Sequence, residues 1–146
     1  MQAHEFINNH HLVTEVFGRW PNFHDGEVHR LVLDRMRQLP NGSYYPSVEL
    51  LVHGWSMTSE VTASGHYKLE HHSLVHFLFE QVTELRLDGL NHQNVLSSLD
   101  FTLSRGKEHE CSILVVELGH CHGLSGSFHA SRASVVSVVP YVDKAG

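Results

Sequence analysis

Apolar positions fall into two rhythms along the chain. In "HEFINNHHLVTEVFGRW", Phe6, Leu12, Val13, Val16, Phe17 and Trp20 recur mostly three or four residues apart, the spacing that lines one face of a helix. This predicts a helix over residues 1–20 that ends near Gly18 and is stopped by Pro21. The period then drops to two. In "EVHRLVLDR", Val28, Arg30, Val32 and Asp34 alternate with His29, Leu31, Leu33 and Arg35, which reads as a strand. "LPNGSYYP" is turn chemistry around Asn41-Gly42, and "SVELLVHGWSM" completes a hairpin.

After a polar connector, "SGHYKLEHH", two strands are expected in "SLVHFLFEQV" and "TELRLDGL". "NHQNVLSS" predicts a short helical turn capped by Asn91 and buried through Val95 and Leu96. "LDFTLS", "CSILVVELG" and "SVVSVVPYV" read as further strands, separated by the charged turn "RGKEHE" and the glycine-rich bend "HCHGLSGS". The whole predicts one α+β domain over residues 1–146. An N-terminal helix (1–20) packs on a mostly antiparallel sheet (27–140) of seven to eight strands, curved or partly closed. Pro140 and the tail "DKAG" suggest an edge strand and a loose end.

Composition narrows the classes. With 146 residues, 41% apolar and 18% charged, the chain is globular rather than disordered. No basic stretch followed by an apolar run opens it, and no run approaches ~20 apolar residues. A cytoplasmic location, reduced thiols at Cys111 and Cys121, and no membrane partner are therefore expected. The formal charge of −6 argues against nucleic acid as a partner. Fifteen histidines are unusual, and protonating all of them would carry the charge from −6 to +9, so the surface field is sensitive where imidazoles titrate.

"PNFHDGEVHRLVLDR" packs His24, Asp25, Glu27 and His29 into six positions. Glu27 and His29 share a strand face and could touch one ion, but a two-histidine, one-carboxylate site needs a third group from elsewhere. The simpler reading has Asp25-Gly26 as a turn, with His24 and Asp25 bonding backbone groups left open there. "GHCHG" has the best metal-like spacing. His120 and His122 would point one way with Cys121 opposite, and Cys111 and His129 on adjacent strands would complete a soft set suited to zinc. It lacks a paired C-x-x-C, and its flanking glycines suit a solvent-facing bend, so no metal or other cofactor is favoured. "EHHSLVH" spaces His72 and His76 four apart without the glutamate of H-E-x-x-H, which puts both on the polar side of a sheet. No G-x-S-x-G elbow or phosphate loop occurs, Cys121 is separated by strand alternation from its neighbouring histidines, and no basic stripe runs between the aromatics. Residue chemistry alone points to no catalytic centre.

Three stretches together carry a resemblance. "WPNFHDGEVHRLVLDR", "HHSLVHFLFEQVTELRLDGLNHQNVLSSLDF" and "GLSGSFHASRASVVSVVP" resemble the fiftieth immunity family of bacterial polymorphic toxin systems over about residues 19–140. That family tends to show Trp-Pro-x-Phe-His-Asp-x-Glu-Val and Phe-Asn-x-Gln-Asn-Val. The matching positions are Phe23, His24, Asp25 and Glu27, then Asn91, Gln93 and Asn94, with Leu90 where an aromatic is common. The resemblance implies a cytosolic, non-enzymatic inhibitor that binds a cognate toxin, and assigns these motif residues no catalytic role. A standard interface takes roughly 800 Å² from each partner, and Tyr44, Tyr45 and Trp55 are candidate anchors; Trp55 is alternatively core. The alternatives are a metal-binding protein or metal-dependent enzyme using a histidine cluster, and a homo-oligomer paired through a strand edge.

Overall fold

Residues 22–28 and 94–99 lie side by side and close a β-barrel in the computed structural model of the chain, which describes residues 2–61, 63–65, 67–105 and 112–142. A 3-10 turn (Ala3–Phe6) and a short helix α1 (His11–Phe17) precede six strands: β1 (Glu27–Gln38), β2 (Tyr44–Val61), β3 (Tyr67–Asp88), β4 (Val95–Arg105), β5 (Ser112–His122) and β6 (Ser125–Pro140). Every strand pairing is antiparallel, and the order around the barrel is β1-β2-β3-β6-β5-β4.

Closure is narrow. β1 meets β4 in register only at Glu27 and Val95. The seam is extended by backbone bonds from Asp25 N to Leu96 O (2.9 Å), Leu96 N to Gly26 O (2.8 Å), Val28 N to Asn94 O (2.9 Å) and Leu99 N to Asn22 O (2.9 Å). Such bonds contribute about 1 kcal/mol each. The interior contributes more, since a fully buried Phe or Leu is worth about 1.5–3 kcal/mol. Leu50, Phe77, Phe79, Leu96, Leu114 and Phe128 are all wholly buried there.

The structure revises several expectations. The 1–20 helix is broken because the backbone of Asn8 is taken by the sheet. Asn8 N donates to Ala133 O (2.9 Å), and Asn8 O accepts from Val135 N (2.8 Å). This bridge fits the half of β6 beyond its pairing with β5, which spans only Gly126 to Ala130. Ile7 and Val13 are thereby buried completely and Phe17 almost so. Gly18, at φ 79°, ends α1 with its N–H on Thr14 O (2.8 Å), the usual left-handed stop.

Among the described residues, six strands replace the expected seven to eight. β3 is one strand of 22 residues; a bulge between Thr83 and Arg86, with Gln81 and Glu84 at positive φ, restarts its alternation and made it read as two. The "SGHYKLEHH" connector belongs largely to β3, and β6 begins at Ser125 rather than Ser134. In β1 a register shift at His29 puts Leu31 opposite Leu50 and Leu33 opposite Val48, so these leucines share the face of Val28 and displace Arg30 and Val32 from it. "NHQN" is no helical turn. Its backbone is held by the Asn94 side chain, and Val95 already belongs to β4.

A candidate recognition surface beside the barrel seam

Phe23 anchors the seam from inside. Its ring is 4% exposed and meets Phe17 at 6.3 Å, Trp20 at 6.3 Å and Phe77 at 5.9 Å, each edge to face. Its backbone sits at φ 58°, and Asp25 follows at φ 63°. Left-handed conformations cost a residue with a Cβ roughly 1–2 kcal/mol, and for a bulky residue such as Phe they are outliers. Between these two positions, His24 donates its backbone N–H to Asn22 Oδ1 (2.9 Å) and its Nδ1–H to Ser97 O (2.8 Å). Its Nε2 lies 3.5 Å from Asp25 Oδ2. The sharp turn needs Gly26, where a Cβ would lie 2.8 Å from Phe23 O.

The second motif lies on the other side of the seam. Asn94, 6% exposed, accepts on Oδ1 from Asn91 N (2.8 Å) and Leu124 N (3.1 Å), and donates from Nδ2 to Asn91 O (2.8 Å). One side chain thus ties the loop before β4 to the β5–β6 turn. Asn91 and Gln93 are exposed. Glu27 is the cross-strand partner of His53.

The remaining candidates are spread out. His120, Cys121 and His122 are exposed at the end of β5. His129 pairs with Val115, five residues and roughly 16 Å along the strand from His120 at ~3.3 Å per residue, so the register separates these histidines. Cys111 lies outside the described residues. His76 donates from Nε2 to Glu49 Oε1 (2.9 Å), whereas His72 turns to another partner. Among the described residues, no three His, Cys, Asp or Glu side chains are arranged to hold a metal ion.

Strand register also creates a group that spacing along the chain could not reveal. His53 Nε2 and His72 Nδ1 share a hydrogen bond of 3.0 Å. Around them stand Trp55 (5.1 Å from His53 and 5.6 Å from His72), Tyr141 (4.3 Å from His53) and His29 (5.6 Å from His53), measured between ring centres. Tyr141 is fixed by its N–H on His72 O (2.9 Å).

Trp55 also forms one wall of a cleft of about 580 Å³. Trp20 and Phe17 contribute other walls, and Arg19, Asn22, His24, Asp25 and Ser56 supply the polar groups. Trp20 divides this cleft from a smaller hollow of about 280 Å³ that includes His4 and Asp100. His4 stacks on Trp20 with ring centres 4.9 Å apart and planes within 8°. Burial holds its imidazole below the usual 6.5, His10 adds to that effect, and Glu5 partly opposes it. Aromatic walls with a few fixed polar groups are suited to binding.

Comparison with known proteins agrees with the motifs. No curated protein and no solved structure matches the chain. A family model described as immunity protein 50 matches residues 9–141, which takes in the first helix, the seam and all six strands up to Tyr141. The chain belongs to the immunity protein 50 family.

Proposed function

We propose that this protein protects a bacterial cell by binding and neutralising a cognate toxin in the cytoplasm, without catalysis of its own. The observation that carries this reading is the family match across residues 9–141, almost the full length of the chain. The barrel interior is compatible with a binding role, because its lining is packed side chain on side chain. Within this reading Phe23, His24, Glu27, Asn91 and Asn94 brace the seam, exposed Gln93 lies beside it, and recognition is left to the surface around them.

The chain's charge of −6 favours a basic partner and would speed their encounter. Co-expression with the toxin encoded beside it tests the proposal. Restored growth, together with capture of the toxin by the purified protein, is the expected result. Growth arrest undiminished by the protein, with no complex formed, would refute it.

A further inference from the structure

Resting on the immunity reading, we propose that the cleft between Trp20 and Trp55 receives an arginine side chain from a surface loop of the toxin, stacked on indole and paired with the Asp25 carboxylate. Several independent features converge there. Indole faces attract cations through their quadrupole, and the planar guanidinium suits both stacking and pairing with a carboxylate. The Asp25 side chain is about half exposed, with its Oδ2 3.5 Å from His24 Nε2, and its backbone is pinned by the bond to Leu96 O, so the turn that presents the acid is set before any partner arrives. Asp100 lines the hollow on the other side of Trp20, adding a second negative charge near the same segment. Arg19 also lines the cleft, but it is exposed, and the long-range field is set by the net charge of −6.

Backbone strain adds a further reason. Phe23 and Asp25 both adopt positive φ within three residues, and strain retained at two such closely spaced positions points to a functional position. At about 580 Å³, the cleft has room for an arginine side chain. Trp55 also connects the cleft to the rings of His53 and His72, and that neighbouring surface extends the contact.

Calorimetric titration of purified protein with the adjacent toxin, alongside Asp25→Asn and Trp55→Ala, tests the assignment. Asparagine accepts positive φ, so Asp25→Asn removes the charge while sparing the turn. At least tenfold weaker binding by each variant is expected, with the Asp25→Asn loss shrinking at high salt. Tyr44→Ala and Tyr45→Ala, which alter exposed tyrosines at the start of β2, should bind within about twofold of wild type. Wild-type affinity in Asp25→Asn would overturn the cleft and leave the immunity reading standing, as would a loss confined to the tyrosine variants. Failure of the wild-type protein to bind would remove both. Trp55→Ala counts only if it melts cooperatively; Asp25→Asn decides the matter alone if it does not.

Discussion

Gly54 on β2 faces the ring of Phe23, and a Cβ added to it would lie 3.0 Å from Phe23 Cδ1. Phe23 cannot easily yield, because Phe17, Trp20 and Phe77 surround it. Gly54→Ala should therefore destabilise the protein by about 1–2 kcal/mol. Overpacking costs roughly 1–3 kcal/mol, and the gain from replacing a strand glycine offsets part of it. Urea denaturation measures this. A variant as stable as wild type would mean that the ring has room to move.

The two family-motif amides should behave differently although they are adjacent. Asn94→Ala leaves the N–H groups of Asn91 and Leu124 without their acceptor, the first in a part-buried and the second in a buried setting. Each buried unsatisfied group costs about 1–3 kcal/mol, so a loss of about 3 kcal/mol is expected. Gln93 is exposed, and Gln93→Ala should stay within about 0.5 kcal/mol of wild type. Equal losses at the two positions would contradict this division.

These contrasts mark what residue patterns can disclose. Short apolar or alternating runs bounded by turn chemistry identified the strands around Leu50, Phe77 and Val116, because such patterns are local properties. Position along the barrel is not local. A single additional residue at His29 exchanged the faces of Leu31 and Val32, and nothing in "EVHRLVLDR" marks the shift. Asn8 reads as part of a helix until β6 takes its backbone. The turn role of His24 was foreseeable from His-Asp-Gly, whereas its carbonyl partner, Ser97, lies 73 positions away. His53, His72 and Tyr141 come together only through register. The cleft was half legible: the Trp-Pro-x-Phe-His-Asp segment stood out, but its opposing wall, Trp55, fitted a core position equally well.

Ser47 supplies a substitution expected to do no harm. It is 2% exposed, and its hydroxyl is the one buried side-chain polar atom among the described residues without a hydrogen-bond partner. Ser47 pairs with Asp34 on β1, and the nearby ion pair between Arg37 Nε and Glu80 Oε2 (2.9 Å) spans from β1 to β3 across β2. Burying a hydroxyl without a partner costs about 1–3 kcal/mol. Ser47→Ala should therefore be neutral or stabilising by about 1 kcal/mol, seen as a higher denaturation midpoint with unchanged slope. A loss of stability would reveal a partner for the hydroxyl.

Acid should weaken the packing of the N-terminal segment through His4. Its imidazole is held below the usual 6.5 chiefly by burial, with His10 adding to the effect, so below that pH the unfolded chain binds the proton more readily than the folded one. Stability then rises with pH. The contribution is complete above the unfolded value and is lost as pH falls through the lowered folded value. His4→Phe keeps a ring against Trp20 and removes the proton. Between about pH 7.5 and about pH 5, the span in which histidines titrate, wild type should lose more thermal stability than this variant. Other titrating groups are common to both proteins, so their difference isolates His4. Parallel curves for the two would show that protonation at the Trp20 stack has no bearing on the fold.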